Sequence, residues 1–347
     1  EAFVTAKEIE DGKCRIHGKD LERIREENYF FRLSKYAKEI ESRIRNNELR
    51  IIPEGKKNEM LRFLEEGLED ISFSRPRKDL SWGIPVPHDD TQPIYVWADA
   101  LVNYISALGY GSGDDAKFAI YWPADIHCIG KDIVKFHALY WPGMLLALGL
   151  PLPRTLFVHG FITADGHKMS KSLGNVVDPF TLITRYGGDA VRYFLLREVS
   201  PHEDGDFTEE KFRERYNADL ANGLGNFSAR VLTLARSVGL RNTKQYQNTN
   251  EEMTKRISET QNLVQKKLEE FRFNEALIAI WELIRFGDQY VNEKKPWETK
   301  DKVVIGELIY ILQEAATLLR PFLPVTAEKI LASIKDETRL SSLFPRI

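Results

Sequence analysis

Residues 155–172 read Thr155-Leu156-Phe157-Val158-His159-Gly160-Phe161-Ile162-Thr163-Ala164-Asp165-Gly166-His167-Lys168-Met169-Ser170-Lys171-Ser172. The β-branched and aromatic run Thr155-Leu156-Phe157-Val158-His159 predicts a strand. Asp165-Gly166 predicts a turn, and the polar stretch beyond it a loop. Two apolar runs precede it, Ile94-Tyr95-Val96-Trp97 and Phe118-Ala119-Ile120-Tyr121-Trp122, and helical patterns occupy 98–108 and 131–148. Strands alternating with helices predict βα units on a parallel sheet.

Working outward, the strand pattern stops near Phe207. From there the sequence predicts amphipathic helices over 209–239, 251–271, 274–293, 302–320 and 325–334, an all-α second domain. On the first of these, Leu220, Leu224, Phe227, Val231 and Leu234 share one side, while Asn222, Asn226 and Arg230 form a separate polar stripe. One face builds a core and the other is free to bind. Toward the N-terminus, 20–68 is charged and helical in period, with an aromatic cluster at Tyr29, Phe30, Phe31 and Tyr36. Pro76, Pro85 and Pro87 mark an irregular connection after it.

A chain of 347 residues is long for one domain. With 43% hydrophobic and 29% charged residues it has a globular composition, and a net charge of −3 requires any RNA-binding surface to be local. Two cysteines, Cys14 and Cys128, exclude a disulfide framework and suit a reducing compartment, by default the cytoplasm. The longest apolar stretch, around 143–150, is too short to span a bilayer, so membrane functions are not expected. The chain opens on Glu1-Ala2-Phe3 with no initiator Met, which suggests a start inside a longer gene product.

The densest chemistry lies in His167-Lys168-Met169-Ser170-Lys171-Ser172. Two lysines close together on a loop can fold over a triphosphate, each a point charge on oxygens that gain negative charge in the transition state. Such a loop suits adenylate formation; Lys- and Ser-rich loops are also ordinary solvated surface. Ile133, His137 and Trp141 recur every four positions, as Trp97, Ala100 and Tyr104 nearly do, describing an aromatic-walled slot. A thioether side chain suits such a slot, and so does plain core packing. Gly130-Lys131-Asp132 stands where a strand end meets a helix N-terminus, the usual ligand position of an open α/β sheet; Asp132 can serve a ribose, a helix cap, or both.

Lys168-Met169-Ser170-Lys171-Ser172 matches the signature loop of class I aminoacyl-tRNA synthetases. Ile94 to Tyr104, Gly130 to Pro142 and Val158 to Thr163 resemble the methionyl-tRNA synthetases in particular, and the resemblance runs from about Glu26 to the last residue. It implies an α/β plus all-α protein: the second half of a doubly wound, Rossmann-like catalytic domain at 26–206, then an α-helical anticodon-binding bundle at 207–347, with a remnant of the connective, zinc-knuckle insertion at 1–25. The implied activity is ATP-dependent activation of methionine and its transfer to tRNA(Met), Mg²⁺ arriving with ATP. The resemblance gives Lys168 and Lys171 catalytic roles. It gives Gly130, Asp132, His159, Gly160, Phe161, Ile162, Lys168, Met169, Ser170, Lys171 and Ser172 to ATP. Trp97, Ala100, Leu101, Tyr104, Ile133, His137, Trp141 and Arg75 go to methionine, and Asn226, Arg230 and Trp297 to the anticodon. Trp297, read without the resemblance, would be a helix-end packing residue.

Two parts of the family pattern are incomplete. Cys14-Arg15-Ile16-His17 resembles half a zinc knuckle, but a structural zinc needs four ligands and no second pair lies nearby, so no metal is expected. The other class I signature, a His-Ile-Gly-His-like tetrapeptide, has no match. The expectation is a truncated chain that binds tRNA better than it makes adenylate. The rival readings are a synthetase for leucine, valine or cysteine, a tRNA-binding fragment or paralogue without full catalysis, and a generic nucleotide-binding α/β protein.

Overall fold

The computed structural model describes residues 9–10, 12–14, 26–78, 80–169, 174–240, 250–336 and 342–347. The chain folds as two compact units, Glu1–Phe157 and Val158–Ile347.

In the first unit, β1 (Ile9–Glu10) and β2 (Lys13–Cys14) pair antiparallel, as do β3 (Phe30–Phe31) and β5 (Ile71–Ser72). The three-residue strand β4 (Arg50–Ile52) lies between helices α1 (Ala37–Arg45) and α2 (Glu54–Glu65). A hairpin, β6 (Pro85–Val86) with β7 (Asp89–Pro93), leads to helix α3 (Val96–Ser106). Helix α4 (Ala116–Tyr121) and strand β8 (Ile126–Gly130) follow. A helical stretch then runs through a 3₁₀ turn at Lys131–Ile133, a π segment at Phe136–Tyr140 and α5 (Trp141–Ala147), before β9 (Thr155–His159). Strand β4 runs parallel to β9, Arg50 opposite Thr155 and Ile52 opposite Phe157, in a sheet of order β4-β9-β8.

Of the three apolar runs read as strands, one is a strand. Phe118-Ala119-Ile120-Tyr121-Trp122 belongs to α4 and its C-cap, because Phe118 and Trp122, four positions apart, stack at 6.1 Å and turn one side inward while Ile120 and Tyr121 face solvent. Of Ile94-Tyr95-Val96-Trp97, only Ile94 pairs, in a bridge to Ser74; Tyr95 is the N-cap of α3. Asp99 in the first turn favours that helix start. Strand β4 was not anticipated: it is three residues inside a charged, helix-period stretch.

In the second unit, β10 (Ile162–Ala164) and β11 (His167–Lys168) form a hairpin whose turn residues Asp165 and Gly166 both have positive φ, 51° and 75°. That is the geometry of the mirror-image turns that suit strand twist, and Asp-Gly is a preferred pair for it. Strand β12 (Gly205–Phe207) pairs parallel to β10 on its other edge. Helices α6 (Pro179–Tyr186) and α7 (Gly188–Glu198) lie between β11 and β12 in sequence.

The five expected helical runs follow in place, with the short α12 added between the third and the fourth: α8 (Glu209–Arg215), a π segment at Tyr216–Gly225 and α9 (Asn226–Ser237) make the first, then come α10 (Glu251–Glu269), α11 (Phe273–Lys294), the short α12 (Pro296–Thr299), α13 (Lys302–Leu319) and α14 (Pro324–Asp336). Thr208, Asn250 and Asp301 cap α8, α10 and α13 by accepting from backbone N–H groups in each first turn. Helix α13 is the hub: Ile305, Leu308, Ile309, Leu312, Ala315, Ala316 and Leu319 are all buried against neighbours. Helix α7 fastens the turn between α13 and α14. Asp189 accepts from the Thr326 N–H at 2.7 Å, and Arg192 donates to the carbonyls of Pro321 and Phe322 at 2.8 and 3.0 Å.

The architecture is a parallel, Rossmann-like sheet with helices, and an α-helical C-terminal domain. No helix among the described residues is long and apolar enough to cross a membrane.

Candidate functional site

In the first unit, α3 and the 131–147 helical stretch bring Trp97, Tyr104, His137 and Trp141 into one aromatic cluster. The Trp97 ring stacks on Phe136 at 4.0 Å, and Tyr104 lies 5.7 Å from His137 and 6.1 Å from Trp141. His137 Nδ1 is 3.0 Å from the Ile133 carbonyl and Nε2 is 2.9 Å from the Tyr104 hydroxyl. A carbonyl only accepts, so Nδ1 carries the proton and Nε2 accepts from the phenol. Burial lowers the His137 pKa and raises that of Tyr104, holding both groups neutral. The result is a polar relay, Tyr104 to His137 to Ile133, set in an apolar wall. Widened π turns recur at functional sites, and this one carries His137.

Other members sit at different depths. Ala100 and Ile133 are half-buried, whereas Leu101 and Trp141, at 2% and 0% exposure, belong to the packed core behind the slot. Arg75 donates from Nη1 to Ser72 Oγ and the Ser74 carbonyl, and its guanidinium lies 4.2 Å from the centre of the Tyr95 ring. Sequence reading gave no role to Phe136 or His127. Phe136 adjoins His137 on the same turn. His127, 3% exposed on β8, packs 4.1 Å from the Tyr104 ring and 6.0 Å from Trp122. Neither of its ring nitrogens has a hydrogen-bond partner among the described residues, and burial, then the neighbouring His137, pulls its pKa down to about 4. Strand alternation could have flagged it, since its neighbour Cys128 is exposed.

At the end of β8, Gly130 occupies the N-cap of the turn Lys131–Ile133, and Asp132 stands exposed in its first turn. The capping position therefore goes to the glycine, and the Asp132 carboxylate faces solvent.

Lys168, the first of the signature residues, lies on the second unit's hairpin. Thr163 and Ala164 pair with Lys168 and His167, and the Phe161 carbonyl accepts from Gly205 N–H at 2.9 Å. Alternation along a strand then turns the N–H and C=O of Ile162 to the opposite edge, where β11 has ended at Lys168. Gly160 has a steric reason: a Cβ there would meet the Glu203 carbonyl oxygen at 2.1 Å. Two carboxylates brace the hairpin. Asp204 accepts from Phe161 N–H at 2.8 Å, and Asp206 accepts from Gly166 N–H and Thr163 Oγ1, both at 2.7 Å, bonds that lower the Asp206 pKa. His159 Nδ1 donates to the Gly160 carbonyl at 2.8 Å. The Lys168 ammonium rests 4.8 Å from the Phe161 ring centre, and Met169 is half-buried. Ser170, Lys171 and Ser172 lie outside the described residues, as do His17 and the Cys14 side chain. No group of three or more His, Cys, Asp or Glu able to hold a metal occurs among the described residues.

In the helical bundle, Arg230 on α9 reaches α11. Its Nη1 donates to Asp288 at 2.6 Å and its Nη2 to Asn292 at 2.7 Å, with its guanidinium 5.9 Å from the Trp297 ring centre. Lys295 and Lys300, flanking α12, both adopt left-handed backbone, φ 45° and 51°, and Trp297 between them is 46% exposed. Asn226 lies on α9, one turn before Arg230. Arg230 and Trp297 are thus together. Asp288 and Asn292, one turn apart on α11, were missed by sequence reading although their spacing puts them on one face.

The family model described as tRNA synthetases class I (M) matches residues 1–232, and one described as anticodon-binding domain of tRNA ligase matches 250–346. A methionine-tRNA ligase from Caldanaerobacter subterraneus subsp. tengcongensis is 44% identical over 360 residues, covering 99% of this chain and 56% of that protein. Its counterpart from Bacillus subtilis is 43% identical over 346 residues, covering 95% and 52%. The chain spans about half the length of the curated relatives it matches. A solved Mycobacterium tuberculosis methionyl-tRNA synthetase bound by methionyl-adenylate superposes with a TM-score of 0.87 at 33% identity, covering 99% of this chain and 74% of that one. The chain belongs to the methionyl-tRNA synthetase family of the class I tRNA synthetases.

Proposed function

We propose that this chain carries the methionine slot, the adenylate-forming hairpin and the anticodon-binding helices of a methionine-tRNA ligase. In the reaction, a methionine carboxylate oxygen attacks the α-phosphorus of ATP and pyrophosphate leaves; the terminal ribose hydroxyl of tRNA(Met) then takes the methionyl group and AMP leaves. Mg²⁺ enters with ATP as part of the substrate. The reading assigns the protein to the cytoplasm, and its domains to 26–206 and 207–347.

The observation that carries the reading is the neutral Tyr104–His137 relay in the aromatic cluster. A thioether is polarisable and uncharged, and makes favourable contacts with ring edges. Leucine and valine would fill the same slot without using the polar relay. Trp97, Ala100, Leu101, Tyr104, Ile133, His137 and Trp141 form or back the slot, and Arg75 serves the carboxylate. Gly130 and Asp132 take the ribose, and His159 to Ile162 the adenine edge. Lys168 and Lys171, with Met169, Ser170 and Ser172, close over the phosphates, where they position and neutralise charge. Asn226, Arg230 and Trp297 read unstacked anticodon bases by hydrogen bonding and stacking.

The test is titration of the chain with methionine, leucine and valine, followed through tryptophan fluorescence. Binding of methionine at least about tenfold tighter, about 1.4 kcal/mol, supports the assignment. Equal response to all three removes the amino-acid assignment.

A further inference from the structure

The polar stripe on the first bundle helix holds three residues, and the proposed anticodon reading uses two of them, Asn226 and Arg230. Asn222, one turn earlier, is taken by another group: its Oδ1 accepts from Arg346 Nε at 3.0 Å. Arg346 is exposed, yet its place is fixed from both sides. Phe344, 8% exposed, packs its ring edge-on to Tyr216 at 5.8 Å. The Asn217 side chain grips the backbone of Ile347, donating to its carbonyl at 2.7 Å and accepting its N–H at 3.1 Å. Both grips land on the π segment Tyr216–Gly225, directly before the helix that carries Asn226.

The arginines at the two ends of the 222–230 stripe are equipped differently. Both terminal nitrogens of Arg230 are engaged, and its charge is paired with Asp288. Such a guanidinium suits a fixed planar contact and is a poor magnet for phosphate. Arg346 spends only its Nε proton on a neutral amide and has no carboxylate partner among the described residues. Arg346 is exposed, and the four N–H donors on its two terminal nitrogens, the fork that binds phosphate oxygens in a bidentate pair, take no partner among the described residues.

We propose that Arg346, held by Asn222, is an RNA-backbone contact: it binds a phosphate of the tRNA strand beside the anticodon bases and sets the register in which Asn226, Arg230 and Trp297 meet them. The proposal rests on the anticodon reading above and adds a residue and a ligand class to it. Phosphate contacts position RNA without carrying sequence information, so the signature of Arg346 differs from that of the base readers.

The experiment measures binding of tRNA with a CAU anticodon, and of the same tRNA with one anticodon base changed, over a range of salt concentrations. It uses the chain and its Arg346→Ala, Arg346→Lys and Asn222→Ala variants, each checked for an unchanged melting temperature. Arg346→Ala is expected to weaken both tRNAs by the same factor, about three- to tenfold, and to lower the salt slope by about 0.7, the value for one phosphate on a single strand. Arg346→Lys keeps the slope, because the charge remains, and recovers part of the affinity. Asn222→Ala keeps the slope and weakens both tRNAs, because the fork loses its brace. An Arg346→Ala variant with the parent's affinity and slope overturns the proposal. A loss confined to the CAU tRNA also overturns it, since that makes Arg346 a base reader. If the parent chain binds both tRNAs equally, the anticodon reading falls, and the difference in salt slope still decides for or against the Arg346 contact.

Discussion

Replacing His127 by Phe tests the electrostatics of the slot. His127 is 3% exposed, its ring nitrogens have no partner among the described residues, and its pKa lies at about 4 against an ordinary 6.5. A depressed histidine pKa means that the unfolded chain takes up the proton first as pH falls. Stability tied to this group is therefore complete above pH about 6.5 and drains away between about 6.5 and 4. With those two values the loss on moving from pH 7.5 to pH 5 is about 2 kcal/mol, from the ratio of the unfolded and folded proton-binding terms. The Phe variant lacks that component. Its ring keeps the contacts with Tyr104 and Trp122, so at pH 7.5 its stability should match or exceed the parent's, two unmatched polar atoms having been removed. Urea unfolding followed by tryptophan emission at pH 7.5 and pH 5 measures both quantities. Identical pH dependence in parent and variant would refute the argument, because it would mean that His127 is solvated or partnered in the folded chain.

Tyr104→Phe removes the donor to His137 Nε2 and leaves a buried acceptor unmatched, at a cost of about 1–2 kcal/mol; methionine affinity measured by calorimetry should fall by roughly tenfold while leucine affinity stays unchanged. Gly160→Ala drives a methyl group into the Glu203 carbonyl; hydrogen exchange at Phe161 and Gly205 should accelerate while the helical bundle keeps its protection. Asp189→Ala leaves the α14 first turn without its acceptor and should lower the denaturation midpoint of the bundle by an amount equivalent to about 1–3 kcal/mol, with Asp189→Asn recovering part of the loss.

The helical bundle was legible because its elements are long and their period is sustained: the run at 302–320 carries apolar residues at helical spacing throughout and emerges as Lys302–Leu319. The α/β part was harder. A five-residue apolar run such as Phe118 to Trp122 fits a strand or a helix equally well, and only the partner that buries Trp122, through its bond from Nε1 to the Pro151 carbonyl and its packing on Trp141, decides. The β4 strand had no chance of being read, since its three residues become a strand only by pairing with Thr155 to Phe157, about a hundred positions away in the chain. The site divides the same way. Residues that act through their own type and spacing, such as Trp97, Tyr104 and His137, stood out in the sequence. Those that act by holding another group, Asp206 at the hairpin and Asp288 beneath Arg230, are ordinary surface carboxylates until the fold supplies what they hold.

The π segments at Phe136–Tyr140 and Tyr216–Gly225 give chain length an unusual leverage over recognition. An α-helix advances about 100° per residue, so a single-residue deletion that leaves the widened turns in place would swing everything after it by about that angle, whereas one absorbed by relaxing a widened turn to an ordinary one would keep the later faces in phase. An unabsorbed deletion upstream of Asn226 would carry Arg230 away from Trp297 and present Val231 in its stead. Substitutions on this surface adjust contacts by degrees, whereas an altered residue count acts as a phase change.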